Sequence, residues 1–297
     1  MNTMFRLLVP VLTLLMVLPV SCGEGGPGVV DISGGYRRDA WPSWSPDGHR
    51  IVFLGDDFNY GNIYIMDADG SNRTRVLESD RRRFKGLAWS PDGTRIAFAV
   101  TGGVATCAPD GSDFTYVVPP SIGEQAQGPS WSPDGSKIAF AATSDQWDIY
   151  VVDADGENKV NLGPRDSEDR SPSWSPDGSK IAYQALPHTG GAVRGVYVMD
   201  ADGSNRARLT DDEGGWPVWS PDGSRIAFIS DRSLYRQVYL MDADGGNVVR
   251  LARTSTIVKS LAWSPDGTRI AFAADSMGKA ESIESHIYIV EVPKELR

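Results

Sequence analysis

Side chains able to carry bond-making chemistry are few and scattered in this chain. Three histidines, His49, His188 and His286, are spread over 297 residues, and no two have the spacing of a zinc site. The two cysteines, Cys22 and Cys107, exclude a four-thiolate metal site and a disulfide-dense scaffold. Neither a Gly-x-Ser-x-Gly elbow nor a phosphate-cradling glycine loop occurs. Asp67-Ala68-Asp69-Gly70-Ser71-Asn72 and its copies suggest a calcium loop at first sight. An EF-hand, however, has Gly sixth and Glu twelfth between helices, whereas here Gly is fourth. These segments read as hairpin turns. No catalytic or metal-ligating residue is assigned, and an enzyme is not expected.

The remaining chemistry is recognition. Arg37, Arg38, Arg81, Arg82 and Arg83 form two basic clusters in a chain with 39 acidic and 29 basic side chains, a formal charge of −10. Such clusters suit a carboxylate-bearing peptide or an acidic partner. The overall acidity argues against nucleic acid, whose binding rests on Lys and Arg neutralising phosphates. Trp41 and Trp216 offer flat faces for a sugar or a peptide proline.

A repeat positions these residues. Trp-Ser-Pro-Asp-Gly begins at Trp44, Trp89, Trp131, Trp174, Trp219 and Trp263, at spacings of 45, 42, 43, 45 and 44 residues. Ser-Pro-Asp-Gly suits a type I turn, with Pro fixing φ at the second position and Gly closing the fourth. Each copy continues into a strand such as Arg50-Ile51-Val52-Phe53, and most add a second strand–turn–strand half at Tyr64, Tyr150, Tyr197 or Tyr239. Four short strands per repeat predict an all-β fold, a six-bladed β-propeller. The last copy lacks its outermost strand, while Val29-Val30-Asp31-Ile32 occupies that slot ahead of Trp44. The amino-terminal strand is therefore expected to pair in the last blade and close the ring, removing an exposed sheet edge.

These six copies resemble the TolB-type propeller, also described as WD-repeat-like, over about residues 29–297. TolB itself carries a further amino-terminal α/β domain, which is not expected in this chain, so the resemblance implies the fold and leaves a Tol-system role open. Propellers host enzymes and binding modules alike. No cofactor is expected, although an ion on the propeller axis stays open.

With strands alternating outward from the axis, the Ser-Pro-Asp-Gly and Asp-Ala-Asp-Gly turns share one face. The loops that differ between copies share the other, where specific recognition should lie. Residues 33–40, 78–86 and 252–260 of that face carry +1, +2 and +2, while 119–128, 163–172 and 210–217 carry −1, −1 and −3. Trp41 and Trp216 stand where other copies have Gly86, Gly128, Ser171 and Ser260, at the start of the innermost strand near the channel mouth. Trp147, Phe58, Tyr60 and Tyr235 extend the aromatic set, and Cys107 aligns with core positions such as Met66 and Val152.

Residues 1–21 read as an export signal: Arg6 precedes an apolar run from Leu7 to Val20, shorter than the roughly 20 residues a spanning helix needs. Leu18-Pro19-Val20-Ser21-Cys22 resembles a bacterial lipobox, which implies lipid on Cys22, with residues 22–28 as a Gly-rich tether. The expectation is a monomeric, lipid-anchored lipoprotein of the cell envelope, periplasmic or on the outer surface. It would touch the membrane only through acyl chains and bind an envelope protein or peptide. The alternative is a carbohydrate-binding protein or carbohydrate-active enzyme using the channel mouth.

Overall fold

The structure, a computed structural model, describes residues 28–34, 38–55, 61–80, 82–121, 124–143, 145–163, 166–188, 194–210, 213–233, 235–252, 254, 257–275 and 284–297. The signal and Cys22 with most of its tether lie outside the described residues, as do Arg37, Arg81, Phe58 and Tyr60.

Strand β1 (Val29–Asp31) comes first in the chain. Blade 1 follows as β2 (Ala40–Trp44), β3 (Arg50–Gly55), β4 (Asn62–Asp67) and β5 (Thr74–Leu77). Blade 2 is β6 (Phe84–Trp89), β7 (Ile96–Val100), β8 (Gly103–Cys107) and β9 (Thr115–Val118). Blade 3 is β10 (Gln125–Trp131), β11 (Lys137–Thr143), β12 (Trp147–Asp153) and β13 (Val160–Asn161). Blade 4 is β14 (Ser167–Trp174), β15 (Lys180–Pro187), β16 (Gly195–Asp200) and β17 (Ala207–Arg208). Blade 5 is β18 (Gly214–Trp219), β19 (Arg225–Ser230), β20 (Gln237–Asp242) and β21 (Val249–Arg250). Blade 6 is β22 (Ile257–Trp263), β23 (Arg269–Asp275) and β24 (Ser285–Glu291), and its fourth strand is β1. The six-bladed propeller and its amino-terminal closure are as the repeat predicts.

Each repeat turn is held by its own polar atoms. The Ser45 hydroxyl donates to Asp47 at 2.5 Å and accepts the Arg50 N–H at 2.9 Å, and the other five copies repeat the pattern. Hydrogen bonds from the serine hydroxyls, and then from backbone N–H groups of the turn, hold Asp134 and Asp177 at a pKa of about 2. The aromatic residue of each second strand is buried, and five of them lie against the tyrosine of the third strand at 5.4–5.9 Å between centroids. Blade 2 lacks that tyrosine, having Ala105, and Phe84 and Phe114 surround Phe98 instead, at 5.2 and 5.8 Å.

The apolar core is a set of wedges between neighbouring blades rather than one central mass, as when Val52 and Ile63 of blade 1 pack with Ile96 and Phe98 of blade 2. The repeat tryptophans tie neighbours together in two ways. Where the preceding blade offers Ser43, Ser130 or Ser173, its hydroxyl accepts the backbone N–H of Trp89, Trp174 or Trp219 at 3.3–3.4 Å. Where it offers Ala88 or Val218, the Trp131 or Trp263 indole N–H donates to that residue's carbonyl at 3.2 Å. Cys107 is buried, as its alignment predicts, and burial pushes its thiol pKa up to about 12.

Closure has its own polar latch. Ile32 N–H donates to Ile287 O at 2.9 Å, and Ile287 N–H donates to the Ser33 hydroxyl at 2.6 Å. His286, in β24, places Nδ1 2.9 Å from Asp31 Oδ2 and Nε2 3.6 Å from Glu284 Oε2.

Candidate functional site

In every blade the innermost strand slips register against the second, at Ala40/Ser43, Lys85/Leu87, Gln127/Ser130, Arg170/Ser173, Gly215/Val218 and Val258/Ser260. A bulge re-aims side chains. In five blades it holds one residue in the left-handed region: Trp41 (φ 50°), Gly86 (64°), Gly128 (59°), Ser171 (54°) and Trp216 (51°). These five, with Ser260, ring a cavity of about 510 Å³ on the propeller axis. A bulky residue is a genuine outlier in that region, at a cost of about 1–2 kcal/mol. Two tryptophans therefore sit where the backbone favours glycine.

Trp41 and Trp216 flank blade 6, and the Trp41 N–H donates to the Ser260 hydroxyl at 3.1 Å. Both indoles are half-buried: Trp41 packs on the blade 1–blade 2 wedge and Trp216 on the blade 5–blade 6 wedge. Packing and access to the channel are thus not alternatives here; each indole does both. Below them the wall is apolar, with Pro42, Leu87, Pro129, Pro172, Pro217 and Leu261.

Two cations, Arg236 and Lys259, line this cavity, and among the described residues no carboxylate does. Arg236 lies 5.4 Å over the Trp216 ring and 3.0 Å from Asp231, and Lys259 meets Asp275 at 2.5 Å. Lys259 precedes Ser260 as Lys85 precedes Gly86 and Arg170 precedes Ser171, so one repeat position is cationic in blades 2, 4 and 6. Burial lowers the Lys85 pKa, helped by the charges of Arg83 and Arg170. Its ammonium contacts Gln125 Oε1 at 3.4 Å.

The expected basic cluster is distributed differently. Arg38 and Arg83 are exposed, and neither they nor Arg82 line the axial cavity. The Arg82 guanidinium stacks 5.4 Å over Phe114, which packs on the blade 1–blade 2 wedge. Arg83 shares a separate cavity with Lys85. Of the other predicted aromatics, Trp147 stacks under Arg170 at 4.5 Å.

Two of the charges counted on the variable loops are not on the surface. Asp39 is 0% exposed, with Arg73 Nη1 at 2.9 and 3.1 Å from its oxygens and that guanidinium stacked on Phe53 and Tyr64. Asp169, also 0% exposed, is held by Arg206 at 3.0 Å and by the Ser167 hydroxyl at 2.7 Å. Burial still raises the Asp169 pKa. Blade 2 places Phe84 and Phe114 at the positions of Asp39 and Arg73, an apolar solution to the same packing problem.

A model of the TolB beta propeller domain matches residues 121–213 and 185–291. No curated protein matches the sequence. Among solved structures the fold is similar to a putative TolB from Agrobacterium tumefaciens, at 23% identity and a TM-score of 0.66, covering 86% of this chain and 91% of that one. It is similar to TolB from Acinetobacter baumannii at 22% identity and a TM-score of 0.62, covering 86% of this chain but 64% of that one. A gluconolactonase from Xanthomonas campestris is similar at 14% identity and a TM-score of 0.68, with 89% of each chain covered. At these identities the likeness establishes the fold alone.

Proposed function

The chain belongs to the TolB β-propeller domain family, and from that premise we propose that it is a binding module of the bacterial cell envelope. In this reading it is exported, lipid-anchored through Cys22, and receives a protein or peptide segment at the open end of its axial channel. One observation carries the reading: two tryptophans held at left-handed backbone positions face a cavity lined by Arg236 and Lys259 and by no described carboxylate. A protein of net charge −10 that turns two cations toward the mouth, with their partners Asp231 and Asp275 outside its lining, suits an acidic segment with an aromatic or proline residue for the indoles. Arg38, Arg82 and Arg83, with Arg37 and Arg81 beside them in sequence, would reach only the flanks of a partner wider than the channel.

Affinity capture from envelope extract tests this. Trp41→Gly and Arg236→Ala are expected to reduce the co-purifying partner at least tenfold, while Asp134→Ala, on the turn face, leaves it unchanged. Loss of capture with Asp134→Ala and full capture with both mouth variants would contradict the reading. A second reading, carbohydrate binding or turnover at the same mouth, is favoured by the indole pair and by the fold likeness to a gluconolactonase.

A further inference from the structure

Beside the axial channel, on the blade 4 side of Trp216, lies a second pocket of about 300 Å³ whose walls include Arg170, Arg194, Gln127, Gln184, Glu168 and Trp216. Its chemistry differs from that of the channel, because polar side chains dominate and Trp216 is its only aromatic wall among the described residues. Arg170 is engaged by Glu168 at 2.9 Å. Arg194 is half-buried and makes no ion pair with any described residue, while the carboxylate that lines the pocket, Glu168, is the one engaged by Arg170. Gln184 is 7% exposed, and its Oε1 is buried with no hydrogen-bond donor among the described residues. Its amide lies over Gly215, where any Cβ would collide with it, so glycine at 215 makes room for this side chain.

We infer that this pocket is a subsite for a sugar acid, a single polyhydroxylated unit with one carboxylate. The carboxylate pairs with Arg194, a hydroxyl meets the Gln127 amide, and the C–H face of the unit lies on Trp216, while Gln184 is part of the wall. An acidic peptide side chain would satisfy Arg194 but would leave the Gln127 amide and the indole unmatched. This goes beyond the channel reading, because Arg194 and Gln184 do not line the axial cavity.

The test is titration of the protein with sodium D-glucuronate at fixed ionic strength, followed by calorimetry and tryptophan fluorescence. Saturable binding is expected, at least tenfold weaker with D-glucose and with triglutamate. Arg194→Ala should weaken it tenfold or more with unchanged melting temperature, and Arg194→Lys should restore part of the loss. Equal binding by wild type and Arg194→Ala overturns the proposal, and so does tighter binding of triglutamate, which assigns the pocket to acidic peptides. Because Arg194→Ala leaves the channel lining intact, partner capture by that variant reports on the channel reading separately.

Discussion

Replacing Trp216 separates backbone strain from side-chain packing. Trp216→Ala and Trp216→Gly remove the same half-buried indole, a shared loss of roughly 2–4 kcal/mol for a large aromatic that is only partly enclosed. They differ in what the bulge asks of the backbone. At φ 51° an alanine pays about 1–2 kcal/mol that glycine does not. Glycine returns about 0.4–1 kcal/mol of this through the greater freedom of the unfolded chain. The balance makes Trp216→Gly the more stable variant by about 0.5–1 kcal/mol. Val218, two residues on and on the same strand, has no left-handed backbone. There the order should reverse, with Ala above Gly by about 0.5–1 kcal/mol, as in any strand interior. Urea unfolding of the four variants, read as midpoints at a common slope, measures both differences. If Trp216→Ala equals or exceeds Trp216→Gly while the Val218 pair behaves normally, no strain is stored at the bulge. The reason for reading a function into that tryptophan then disappears.

The same logic applies to the buried ion pairs. Arg73→Met should cost about 3–5 kcal/mol by stranding the Asp39 carboxylate, whereas the double change Asp39→Phe with Arg73→Phe, copying blade 2, should recover most of that in the same urea assay. The closing latch should be pH-dependent. His286 is raised, first by its hydrogen bond to Asp31, so its contribution is full below the unfolded histidine pKa and is lost as pH rises through the folded one. Asp31 is lowered in net, the bonds from His286 and Ser33 outweighing burial, so its contribution is lost as pH falls through its folded value. Protection of the β1 and β24 amides from hydrogen exchange, corrected for intrinsic rates, should therefore peak in mildly acid buffer and fall as pH rises above the ordinary histidine value and through the raised His286 pKa. His286→Gln should abolish that fall, and a flat profile in the wild type would remove the latch from the energetics of closure.

The fold was legible because the repeat carries its own turn chemistry, and because the missing outer strand of the last copy has a match at Val29–Ile32. The place of Trp41 and Trp216 was legible for the same reason: register against Trp44 and Trp219 puts them at the mouth whatever they touch. The cations were not legible from loop charge. Summing residues 33–40 counts Asp39, which Arg73 draws into the core, and summing 78–86 gives Arg82 and Lys85 equal weight, although one stacks on Phe114 and the other crowds Arg83 and Arg170. A bulge decides which way each side chain leaves the strand, and no composition count contains that information. Aligning the position before each mouth residue would have found Lys85, Arg170 and Lys259 together. His286 leads into the last strand in sequence, but its meeting with Asp31 depends on ring closure across the whole chain.

Site-specific photo-crosslinking in intact envelopes tests most directly whether the variable face does the binding. A benzophenone amino acid would replace Gln127, half-buried beside the mouth, or Ser136, exposed on the repeat turn of the same blade. Crosslinks to a discrete partner from position 127, with none from 136, are expected. Crosslinks from 136 alone would contradict recognition through the channel mouth.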